Sequence, residues 1–121
     1  MMMSTLNVPE GANPALVAEI EKEIASAPVV VYSKGTREQP RCGFTLQLVQ
    51  LFESLGIEFT TIDIFPNPEK KQLLNELFDW PTVPKVFIAG EFYGGADMMK
   101  AMASNGELMP LVTQAVAAAK A

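Results

Sequence analysis

The chain has 121 residues, 9 Lys and Arg against 14 Asp and Glu, a net charge of −5, no histidine and one cysteine. That length suits a single domain whose core needs no disulfide staples, and the acidic balance argues against nucleic acid as a partner, because phosphate binding draws on Lys and Arg. Without His, the Ser-His-Asp and Cys-His centres and any His-containing metal site of the chain alone are excluded; with Cys42 as its only cysteine, so are an internal disulfide, a CxxC pair and a single-chain tetrathiolate site.

Residues 1–12 are small and polar, broken by Pro9 and Gly11, and are expected to form a flexible terminus outside the core; residues 13–121 are expected to form one domain. Asn13-Pro14 opens a helix in which Leu16, Val17, Ile20 and Ile24 recur at helical spacing until Pro28. Val29 to Tyr32 is an apolar, β-branched run and reads as a strand buried on both faces. A loop rich in charge, Gly and Pro follows, from Ser33 to Arg41. From Gly43, the spacing of Phe44, Leu48, Leu51, Phe52 and Leu55 predicts a second helix that stops at Gly56.

Glu58 to Ile64 predicts a second strand, and Asn67-Pro68 a third helix with Leu73, Leu74, Leu77 and Phe78 inward. Trp80-Pro81-Thr82-Val83-Pro84 is a rigid turn. Lys85 to Ala89 and Glu91 to Tyr93 predict a hairpin, Gly94-Gly95 leads into a helix with Met98, Met99 and Met102 as core residues, and Leu108 to Ala121 forms a last helix. Two strands joined by a helix make a parallel βαβ unit, and the hairpin adds antiparallel strands. The expected fold is α/β, a mixed four-stranded sheet flanked by helices.

The chemistry concentrates at three places. Cys42 directly precedes a helix, where unpaired N–H groups and the helix dipole stabilise a thiolate, with Lys34 and Arg41 adding positive charge. An isolated cysteine is more often buried and inert, but one that follows Pro40-Arg41 instead of lying in an apolar run reads as reactive. Gly94-Gly95-Ala96-Asp97 has the form of a backbone nest facing an anion, with Lys34 and Lys71 as cations able to face the same group. The Val83–Pro84 bond is open to either isomer on pattern alone. Trp80 is most simply a packing residue.

Together, Lys34-Gly35-Thr36, Arg41-Cys42-Gly43-Phe44-Thr45, Trp80-Pro81-Thr82-Val83-Pro84 and Gly94-Gly95-Ala96-Asp97 closely resemble the monothiol, CGFS-type glutaredoxins from about Ile24 to Val112. The resemblance implies the thioredoxin fold, a cis Pro84 and a glutathione site. In that site Cys42 is the active thiol, and Lys34 and Lys71 hold the glycine carboxylate of glutathione. Val83 pairs its backbone with the cysteinyl unit, and Gly95, Ala96 and Asp97 receive the γ-glutamyl end. Thr45 stands where the family has Ser and keeps the hydroxyl; Ala96 stands where many members have a second Cys, which removes a possible disulfide partner for Cys42.

The resemblance further implies a 2Fe-2S cluster shared between two protomers. A cluster of that kind takes four thiolates, and one Cys42 from each copy with one glutathione on each meets the count. The implied role is assembly and transfer of iron-sulfur clusters by a homodimer when cluster-bound, with a BolA-like protein and apo iron-sulfur proteins as partners. The alternative is a glutathione-dependent monothiol thiol-disulfide oxidoreductase that removes glutathione from mixed disulfides. The segment between Lys34-Gly35-Thr36 and Cys42 separates this class from the dithiol glutaredoxins and accompanies weak oxidoreductase activity in the resembling family. No stretch approaches the ~18 consecutive apolar residues of a membrane span, and the first residues have neither a secretory-signal layout nor the Arg richness of a transit peptide. A cytoplasmic protein without a membrane partner is therefore expected, and a lone free thiol suits such a reducing compartment.

Overall fold

The computed structural model describes residues 8–120. Asn13 caps the first helix, α1 (Pro14–Ile24), by accepting a hydrogen bond from the Ala15 amide, with Pro14 in its first turn. Then come β1 (Val29–Ser33), α2 (Gly43–Ser54), β2 (Thr60–Asp63), α3 (Pro68–Leu77), β3 (Lys85–Ile88), β4 (Glu91–Phe92), α4 (Ala96–Ser104) and α5 (Leu108–Lys120). Asn67 caps α3 in the same manner as Asn13 caps α1, accepting from the Lys70 amide. This is the order expected from the sequence, with β2 shorter at both ends.

The sheet order is β2-β1-β3-β4. β1 runs parallel to β2 and antiparallel to β3, and β4 is antiparallel to β3. Every residue of the central strand β1 is buried, so it has no polar face, as a strand covered by helices on both sides requires. Alternate residues divide between two cores: Val29 and Val31 join Val86, Ile88 and residues of α2, α4 and α5, while Val30 and Tyr32 join Phe87 and residues of α1 and α3. That arrangement is the thioredoxin fold. Phe52, wholly buried in the first core, is of the kind whose truncation to Ala costs about 3–5 kcal/mol.

Two expectations about the packing need correction. Of the terminal segment, residues 1–7 lie outside the described residues, but Ala12, turned back by a bond from its amide to the Pro9 carbonyl, packs on the α1–α3 core. Met98 is 46% exposed while Met99 is fully buried and Met102 packs at the edge; on α4 the face toward the sheet admits one residue of the adjacent pair. Phe44, the second residue of α2, is 58% exposed, while Thr45 beside it is fully buried.

Candidate functional site

The two residues that begin α2 and α4 meet at one groove of about 870 Å³. Lys34, Cys42, Lys71, Val83, Gly95, Ala96 and Asp97, the residues singled out in the sequence, all line it. They arrive from different elements: Lys34 from the end of β1, Cys42 from the N-terminus of α2, Lys71 from α3, Val83 from the turn before β3, and Gly95 to Asp97 from the start of α4.

Cys42 is the N-cap of α2, in extended backbone conformation. Its Sγ accepts from the Thr45 amide at 3.4 Å and lies 3.3 Å from the Thr45 hydroxyl. Thr45 is itself fully buried, and its Oγ1 accepts from the Lys34 amide at 3.4 Å. The Cys42 thiol donates to that oxygen, and the Thr45 hydroxyl can turn its proton to the sulfur once Cys42 is a thiolate. Burial pushes the Cys42 thiol up, but the Thr45 hydroxyl and amide, the Phe44 amide and the Lys34 charge outweigh it and leave the thiol below its ordinary value. A half-buried thiolate on a helix N-terminus is the form that attacks disulfides and binds soft metals.

The loop before Cys42 is held in place by its own bonds. Gly35 has φ of 85°, and a Cβ there would collide with the Gln39 carbonyl oxygen, so only glycine fits the turn. The Gly35 amide donates to Asp63 Oδ1 at 2.9 Å and the Arg41 amide to the Lys34 carbonyl at 2.8 Å. Arg37 reaches over the Phe59 ring at 4.0 Å and bonds the Phe59 carbonyl at 3.1 Å. The inserted segment is thereby fastened to the edge of the sheet.

Across the groove, the Val83–Pro84 peptide is cis. A Cβ on Gly95 would stand 2.9 Å from the Pro84 carbonyl oxygen, so glycine lets α4 begin against this turn. No side chain caps α4, and Gly95, Ala96 and Asp97 at its start line the groove. Among the described residues, Trp80 Nε1 is the buried side-chain polar atom without a hydrogen-bond partner; it lies 4.0 Å from the Cβ position of Gly95. Trp80 also stacks edge-on against Phe92 at 5.5 Å, so the packing role expected for it holds, and it forms a wall of the groove as well.

Residues 29–93 match the Glutaredoxin family. An uncharacterized monothiol glutaredoxin of Synechocystis sp. is 40% identical over 105 residues, 87% of this chain and 98% of its own length. A probable monothiol glutaredoxin of Legionella pneumophila is 43% identical over 89 residues, 74% of this chain and 100% of its own. The chain belongs to the monothiol glutaredoxins. Among solved structures it is similar to a buckwheat glutaredoxin–glutathione complex, with a TM-score of 0.77 and 27% identity over 88% of this chain and 96% of that one.

In this glutaredoxin the sequence missed part of the groove. Met98, read as core, lines it instead, as does Phe44 from the motif around Cys42. Its place in the first turn of α4, beside Gly94-Gly95, is the signal that could have marked Met98. Lys85, fully buried next to Pro84, carried no signal at all.

Proposed function

We propose that this monothiol glutaredoxin binds glutathione in the groove and carries a 2Fe-2S cluster between two protomers for delivery to apo iron-sulfur proteins, a BolA-like protein among its partners. The observation that carries the reading is the donor set. Among the described residues no group of three or more His, Cys, Asp or Glu side chains is placed to hold a metal, and the one thiol lies in a groove that Lys34, Lys71 and Asp97 also line. Lys34 and Lys71 offer charge to a carboxylate, the uncapped start of α4 offers amides to another, Asp97 suits an ammonium, and the Trp80 N–H awaits an acceptor. Glutathione has two carboxylates and one ammonium, and its thiol would lie beside Cys42, with the Val83 backbone along its cysteinyl unit.

Two such half-sites bring together the four thiolates that a two-iron cluster takes. Here the cluster is cargo. Half of its ligands are exchangeable small molecules, so a carrier of this build gives it up readily to protein thiolates. The cytoplasm, reducing enough to keep Cys42 free, is the compartment this chemistry suits.

The lowered thiol favours a second activity at the same site. Cys42 as thiolate attacks the glutathionyl sulfur of a protein mixed disulfide and releases the protein thiolate, which takes a proton from water. The thiolate of a second glutathione then attacks the Cys42–glutathione bond, freeing Cys42 and leaving glutathione disulfide. The two readings separate experimentally. Cys42→Ser, at a loop–helix junction, is expected to keep the fold by circular dichroism and to lose all visible absorption after anaerobic reconstitution with iron, sulfide and glutathione. A wild type that stays colourless under those conditions yet reduces glutathionylated peptide would leave the oxidoreductase alone.

A further inference from the structure

Lys85 is fully buried, although it is the first residue of a strand whose neighbours are Val, Phe and Ile. Its ammonium donates to the Asn75 side-chain oxygen and, at 2.8 Å, to the Thr82 carbonyl. Among the described residues no carboxylate pairs with it. A buried charge held only by neutral acceptors is costly, and packing alone would be better served by an apolar residue of similar length.

The position of that charge suggests its use. Asn75 follows Lys71 by one helical turn on α3, so the two side chains share a face. Thr82 lies one residue before Val83 in the turn that lines the groove. Lys85 therefore sits where α3 and this turn join, on the side from which Lys71 enters the groove. We propose that Lys85 is a buried positive charge that strengthens the grip of the groove on a ligand carboxylate at Lys71, acting through the field it adds there rather than by contact. The inference rests on the reading of the groove as a glutathione site and names a positioning charge for it.

The charge is also adjustable. Burial, then repulsion from Lys71, lowers the Lys85 ammonium to about 8. The groups that face it are Lys71 from α3 and, opposite in register on β1, Tyr32. Tyr32 stays neutral, because burial and the neighbouring Glu23 push its hydroxyl far up. A carboxylate arriving at Lys71 offsets the repulsion and favours the protonated amine, so binding takes up a proton and affinity falls as pH rises through the Lys85 titration.

The test uses S-methylglutathione, which has no thiol to titrate, and calorimetry on wild type, Lys85→Met and Lys85→Gln from about pH 6.5 to about pH 10. At the acid end both variants should bind about tenfold more weakly than wild type, the equivalent of one pH unit of Lys85 shift on binding, and the ratio should close toward one at the alkaline end. A ratio that is constant with pH, or full recovery by Lys85→Gln through its amide donors, would reduce Lys85 to a structural hydrogen-bond donor and overturn the proposal. Should the variants unfold, NMR titration of the Lys85 side chain in wild type decides: a midpoint that rises on addition of S-methylglutathione supports the proposal, and an unmoved midpoint ends it. Failure of wild type to bind S-methylglutathione at any pH would instead remove the glutathione reading itself.

Discussion

Lys70 and Lys85 are both buried, yet they carry opposite electrostatics, and the difference separates the scaffold from the groove. Lys70 is met by Glu19 at 2.6 Å and Glu23 at 2.8 Å, and Glu23 also accepts from the Tyr32 hydroxyl at 2.9 Å. Burial alone lowers the Lys70 ammonium, but the hydrogen bonds and charges of the two carboxylates outweigh it and raise it. The result is a tie between α1, α3 and β1 on the face away from Cys42. Lys85 has neutral partners only, and its ammonium is lowered. Lys71, the residue next to Lys70, turns away from these carboxylates into the groove. Between α1 and α3 positive charge is neutralised by carboxylates; behind the groove, at Lys85, it is met by neutral acceptors only.

The contrast can be broken from either side. The largest effect is expected from Glu23→Ala, which leaves the buried Tyr32 hydroxyl with only a 3.4 Å contact to the Ile20 carbonyl and Lys70 with Glu19 alone. It should cost about 2 kcal/mol of stability in urea denaturation, with glutathione affinity unchanged; a change in affinity at full folding would show that the α1–α3 tie also shapes the groove. Lys71→Glu should leave stability close to wild type and weaken glutathione binding by at least about tenfold in calorimetry, because like charge then faces the carboxylate. Unaltered affinity would remove Lys71 from the site.

The smallest effect concerns sulfur. At Cys42, as at Lys70, bonded partners overcome the cost of burial. Thr45→Val keeps the shape and deletes the hydroxyl, so the midpoint of iodoacetamide alkylation should move upward in pH and the rate at neutral pH should fall several-fold. The sign follows from the direction of the shift: the thiol is depressed in the folded protein, so losing a partner of the thiolate raises it. An unmoved midpoint would mean that the helix N-terminus and Lys34 suffice.

The scaffold was largely legible in the sequence because its signals are local. Asn13-Pro14 and Asn67-Pro68 announce helix starts, Val29 to Tyr32 announces a doubly covered strand, and the placement of Cys42 before Gly43 announces a capped thiol. Of the residues that line the groove, Lys34, Cys42, Val83, Gly95, Ala96 and Asp97 were legible through their motifs, and Lys71 through the resemblance. Met98 was not, since helical spacing reports which residues share a stripe and does not say which of the adjacent Met98 and Met99 stays outside it. Lys85 was hidden more deeply: its burial depends on Asn75 and Thr82 approaching from other elements, a tertiary fact that a lysine before an apolar run does not disclose.

In the proposed carrier, one thiol per chain becomes a four-thiolate site only through a second copy and two glutathiones. Native mass spectrometry after anaerobic reconstitution, with and without glutathione, tests it most directly. The expected result is a dimer carrying one two-iron, two-sulfur cluster and two glutathiones, and apo protein alone when glutathione is withheld. A cluster retained on a single chain, or on a dimer free of glutathione, would contradict it.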